Sequence, residues 1–69
     1  MNNEIQYLTE HEVSVMTRRA LSTLRNDRFH RRGISYCKVG KSVRYLQSDV
    51  VEFMAARRIE TDPLQEIQK

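Results

Sequence analysis

Apolar residues in this chain recur at helical spacing in three places and alternate in one. After a polar opening, Leu8 precedes Thr9-Glu10-His11-Glu12, and Val13 and Met16 follow three apart. This predicts a short helix ending near Thr17. Thr9 is placed to cap the third amide, Glu12 to reach back to the amide of Thr9, and Leu8 and Val13 to form a hydrophobic staple. Val13 and Met16 are its expected buried stripe. Leu21 and Leu24, with Arg28 a turn further on, predict a second helix over 21–28. Ala20 stands at its cap position; alternatively the helix begins slightly later, with Ser22 as the cap. The link 17–20 is short enough for the turn of a helix-turn-helix.

Alternation replaces helical spacing from Tyr36 to Tyr45, where β-branched and aromatic residues flank Gly40-Lys41-Ser42. This is the pattern of a β-hairpin, with Gly33 in the turn that opens it. A three-residue loop over 40–42 would set Val39 opposite Val43 and Cys37 opposite Tyr45, all four on a buried side. Lys38 and Arg44 would then share the other side with Lys41 nearby. A two-residue Gly40-Lys41 loop of the II′ kind would pair Cys37 with Arg44 instead. The first register is the expectation, because it separates apolar from basic residues.

Ser48 and Asp49 announce a third helix, Ser48 as cap and Asp49 in the first turn against the positive helix end. Val50, Phe53 and Met54 are its core-facing positions, and Arg57 and Arg58 lie near its C-terminus. Thr61-Asp62-Pro63 breaks the pattern, and Leu64 and Ile67 lie on one side of any helical stub beyond it. The expected organisation is a flexible N-terminus over 1–6, one domain over 7–59 and a C-terminal tail over 60–69. Leu24, Tyr45, Val13 and Phe53 belong to the expected core.

The net charge of +3 conceals a strong asymmetry. Residues 18–44 hold nine basic residues against Asp27 alone, whereas the stretches on either side are net acidic. A solvated basic face would account for this. Concentration on one supersecondary unit is also the electrostatic footprint of a nucleic-acid binder. With Leu21 and Leu24 packed inward, Ser22, Thr23, Arg25 and Asn26 point outward. Arginine can contact guanine, asparagine adenine, and serine or threonine phosphates.

Other chemistry finds little support. Gly40-Lys41-Ser42 resembles the end of a phosphate-binding loop, but Ser35 stands where the first glycine of that motif is required. His11, His30 and Cys37 lack metal-ligand spacing. Cys37 reads as a small buried hydrophobe, and as a single cysteine it allows no internal disulfide. No catalytic arrangement is apparent, so no enzymatic activity, metal or cofactor is expected. No apolar run approaches the roughly 20 residues of a membrane span. The expected setting is the cytoplasm, without membrane association.

Leu8-Thr9 with Glu12-Val13, Ser22-Thr23-Leu24, Lys38-Val39-Gly40-Lys41, Val43-Arg44-Tyr45 and Ser48-Asp49-Val50 occur in one order from Tyr7 to Arg58. In this the chain resembles the small winged helix-turn-helix proteins of the excisionase and prophage-regulator (AlpA-like) group, relatives of the MerR-type DNA-binding head. It departs from them at Arg18-Arg19, where many relatives have a glycine and an apolar residue, and at Ala20, where a serine cap is usual. The resemblance implies an α+β, mainly helical fold in the order helix, helix, β-hairpin wing, helix. It implies double-stranded DNA as partner, the second helix in the major groove, and the wing tip around Lys41 at the adjacent backbone or minor groove. Cooperative self-association on repeated sites and DNA bending are also implied. An excisionase directs a site-specific integrase toward excision, and Pro63 to Lys69 is the segment expected to touch that integrase. The nucleoid of a bacterium, native or phage-infected, is the implied location.

The candidate DNA-contacting residues are Arg18, Arg19, Ser22, Thr23, Arg25, Asn26 and Arg28 from the second helix and its turn. Arg31, Arg32, Lys38, Lys41, Ser42 and Arg44 join them from the loop and wing. A transcription regulator of a prophage or mobile element would use the same contacts at a promoter. A protein-interaction module meeting an acidic partner is the rival from another class.

Overall fold

The computed structural model describes residues 5–61. In chain order the elements are β1 (Tyr7–Leu8), α1 (Glu10–Thr17), α2 (Leu21–Phe29), β2 (Cys37–Val39), β3 (Ser42–Leu46) and α3 (Gln47–Ala56). Three helices and a three-stranded antiparallel sheet of order β1-β3-β2 make an α+β fold. The order helix, helix, hairpin, helix is the one expected. The expected tail contacts from Pro63 to Lys69 lie outside the described residues.

α1 begins where the sequence places it. The Thr9 hydroxyl accepts from the Glu12 amide at 3.1 Å, and the Glu12 carboxylate accepts from the Thr9 amide at 2.8 Å. Val13 is fully buried, but Met16 is 46% exposed, against expectation. The packed side of α1 runs through Glu10, Val13, Ser14 and Thr17 instead. Polar bonds turn the helix that way. Ser14 Oγ donates to the Arg19 carbonyl at 2.7 Å, and Glu10 is held by arginines of α2.

α1 ends with Arg18 in the left-handed region, at φ 59 and ψ 35. α2 then starts at Leu21 with Ala20 as N-cap and no side-chain cap, so the later start at Ser22 is not taken. Leu24 is buried and Leu21 packs against the core.

The hairpin adopts the register that was not expected. Cys37 pairs with Arg44, Lys38 with Val43 and Val39 with Ser42. Positive φ falls on Gly40, at 61°, and not on Lys41 or Ser42. That is the requirement of a two-residue II′ turn, whereas a three-residue loop would need its left-handed residue at the third position. The shift carries Cys37 and Val39 to the outer face, where both are exposed. Tyr45 and Val43 face the core. Lys38 and Arg44 therefore lie on opposite faces of the hairpin.

β1, too short to leave a periodic signal, pairs Tyr7 with Leu46 and Leu8 with Tyr45. The pairing continues as the Gln47 amide donates to the Gln6 carbonyl at 2.9 Å. α3 thereby starts at Gln47, and Ser48 does not act as its cap. The amide is satisfied by backbone. Val50 is fully buried and Phe53 partly so, but the expected core residue Met54 is 43% exposed. Val13, Leu24, Tyr45 and Val50 form the core with Ile34, a loop residue that no periodicity marks.

Gly33, at φ +88, lies against α2. A Cβ there would meet Asp27 Oδ2 at 2.8 Å and Asp27 Cβ at 2.9 Å, whereas a Cβ at Gly40 would meet nothing within 4 Å. Gly40→Ala should cost about 1–2 kcal/mol of stability from backbone strain alone. Gly33→Ala should cost about 2–3 kcal/mol, because the steric conflict adds to that strain. Urea unfolding of the two variants decides this, and equal shifts in midpoint would show that the Asp27 contact contributes nothing.

Candidate nucleic-acid interface

Two carboxylates organise the basic residues. Glu10, in the first turn of α1, accepts from Arg25 Nη2 at 2.6 Å, Arg25 Nε at 3.2 Å and Arg28 Nη2 at 3.1 Å. Arg28 also donates from Nη1 to the Tyr45 hydroxyl at 2.7 Å. Its guanidinium lies 5.7 Å from the ring centre of Tyr36 and 6.0 Å from that of Tyr45. The Arg28 side chain is 17% exposed, against 55% for Arg25. Burial works against the Arg28 charge, but the bonds to Tyr45 and Glu10 outweigh it and its pKa moves up.

Asp27 is the second organiser. Its Oδ2 accepts from Arg19 Nη2 at 3.0 Å, and its Oδ1 from Arg32 Nε at 3.1 Å. The bond from Arg32 is the main cause of its lowered pKa, with burial opposing and Arg19 adding to the effect. Arg19 also lies 5.5 Å from the ring centre of Phe53, and Arg57 approaches the same ring at 3.5 Å. The Arg19–Asp27 bridge thus ties the α1–α2 turn to α2, with α3 against it.

Four candidate DNA contacts, Arg19, Arg25, Arg28 and Arg32, therefore also hold the protein together. Arg18, Arg31, Lys38, Lys41 and Arg44 have no carboxylate partner among the described residues. Among the described residues, Arg44 donates only to the neighbouring Val43 carbonyl, at 2.8 Å. Three shallow concavities gather the basic side chains. One of about 320 Å³ lies between the first turn of α1 and the hairpin tip, lined by Thr9, His11, Arg28, Lys41, Ser42 and Arg44 among others. One of about 420 Å³ brings Arg18 and Arg19 together beside Ala20. The third, about 470 Å³, is lined by Arg31 and Arg32 with the loop to Tyr36.

Ser22, Thr23, Arg25 and Asn26 are exposed on α2, as expected. α2 also runs one residue beyond the predicted 21–28 and carries Phe29 onto the same face. The spacing 22, 26, 29 could have identified it, had the helix been extended by one position. His11 lines the first concavity together with the hairpin tip, a placement that no sequence spacing marks.

Glu10 provides a test of this electrostatic arrangement. Its pKa is lowered from 4.5 to about 2, chiefly by the hydrogen bond from Arg25, with burial opposing and Arg28 adding to the effect. A carboxyl that titrates lower in the folded chain adds stability that is complete above the unfolded value and is lost as pH falls through the folded one. The Glu10 contribution should therefore disappear between pH 4.5 and about 2. Glu10→Gln should lower stability at neutral pH and flatten this acid limb, as read from urea midpoints across the range. An unchanged limb would show that the ion pairs contribute nothing to folding.

Comparison with known proteins finds no matching family model, no matching curated protein and no matching solved structure.

Proposed function

We propose that the protein is a non-enzymatic, sequence-specific DNA-binding protein built as a winged helix-turn-helix, and that it acts as an excisionase. The observation that carries the reading is the division of the basic stretch. Glu10 and Asp27 each engage two arginines, and five other cations, on the α1–α2 turn, the loop after α2 and the hairpin, have no carboxylate partner among the described residues. α2 exposes Ser22, Thr23 and Asn26 between them. The polar face of α2 supplies base contacts in the major groove. Lys41 and Arg44 supply phosphate contacts from the wing, and Arg18 adds another beside the uncapped start of α2.

In this reading, affinity comes largely from phosphate neutralisation and falls with salt, while preference comes from α2. Bending of attachment-site DNA and contact with an integrase follow from the resemblance to excisionases. Arg25 is the least free of the exposed α2 side chains, since a base contact requires it to leave Glu10.

Host genomic fragments recovered with the purified protein at moderate salt should share a discrete site within an attachment region. Enrichment at promoters instead would replace the excisionase role with transcription regulation. Arg44→Ala should weaken binding to all duplexes alike and reduce the slope of log affinity against log salt by about 0.9. Asn26→Ala should relax preference at one base pair by about 1–3 kcal/mol. Recovery without any common sequence, or unchanged affinity in Arg44→Ala, would refute the corresponding assignment.

A further inference from the structure

We propose that Phe29 is an apolar base-reading residue that receives the C5-methyl group of a thymine in the major groove. The inference rests on the DNA-binding reading above and extends it to one named base.

Phe29 is 82% exposed at the end of α2. Exposure alone carries little, because single apolar side chains on a surface are common. Its position says more. At 100° per residue, Ser22, Arg25, Asn26 and Phe29 occupy one side of α2, while Leu21, Leu24, Asp27 and Arg28 occupy the packed side. The aromatic ring therefore stands within the polar face offered to DNA.

The ring is also placed, rather than loose. His30 packs edge-on against it, with centroids 5.1 Å apart and planes at 86°. His30 in turn is fixed to α2: its amide donates to the Asn26 carbonyl at 3.1 Å, and its Nδ1 lies 2.9 Å from the same oxygen. Asn26 and Phe29 are thus neighbours on one face of a single helical turn. An A·T pair presents both of their complements in the major groove, adenine N6 and N7 for an amide and the thymine methyl for an apolar surface. The two side chains fit one A·T pair or two adjacent ones. Arg31, left-handed at φ 57 and without a carboxylate partner among the described residues, follows directly and can meet a phosphate at the groove edge.

Deoxyuridine lacks only the methyl group of thymidine, so it isolates this contact. Fragments selected by the wild-type protein are resynthesised with uracil replacing each thymine in turn. At one or two positions wild-type affinity should fall roughly fourfold, the factor that corresponds to burying one methylene-sized group. Phe29→Ala should bind the thymine and uracil forms equally well, with an unchanged urea midpoint because the side chain is exposed. Wild-type binding insensitive to uracil at every position would overturn the assignment, as would undiminished sensitivity in Phe29→Ala. Selection of no fragment by the wild-type protein would overturn the DNA-binding reading itself, and this inference with it.

Discussion

The hydrogen bonds of one guanidinium hold this molecule in shape. Arg28 reaches from α2 to the Tyr45 hydroxyl on β3 and to the Glu10 carboxylate on α1, so three elements meet on one side chain. A chain of this length buries a limited fraction of its surface. The core, five buried apolar residues among those described, is correspondingly small. Tyr45 illustrates how the polar and apolar parts depend on each other. Its ring is 1% exposed, yet its hydroxyl is satisfied only because Arg28 arrives beside it. Removing Arg28 would leave the buried Tyr45 hydroxyl to find another partner and Glu10 with Arg25 alone, a loss that exceeds the net gain from the bonds themselves.

Asp27 repeats the arrangement one residue earlier on the packed side of α2. It takes Arg19 from the turn before the helix and Arg32 from the loop after it, and its side chain closes against Gly33. The two acids lie on consecutive helices, and both draw arginines from the region that carries the surplus positive charge. Formal charge therefore overstates what this surface offers a polyanion. The offer is made by the side chains that Glu10 and Asp27 do not reach.

Local features were readable in the sequence and distant ones were not. The Thr9–Glu12 capping box, the inward Val13, Leu24, Tyr45 and Val50, and the order of helices and hairpin all follow from residues within a few positions of one another. The hairpin register departs from the expected one because the positive φ at Gly40 prevails over the separation of apolar from basic residues. Met16 turns outward: the i, i+3 rule does not say which flank of Val13 is packed, and that is decided by Ser14 and Glu10. The pairing of Glu10 with Arg25 and Arg28 spans 15 and 18 residues and leaves no periodic trace. As a result, the sequence showed a basic patch but not which of its members were already engaged.

Among the described residues, both non-glycine residues in the left-handed region are arginines, Arg18 at φ 59 and Arg31 at φ 57. Such a conformation costs roughly 1–2 kcal/mol in a residue with a Cβ. Glycine would remove that cost and the charge together. Folding stability and positive surface charge therefore make opposing demands on the same two codons. Selection for a more durable protein would act against the positive charge of this surface, and selection for that charge would keep the fold near its threshold. Improvement of either property has to come from other positions.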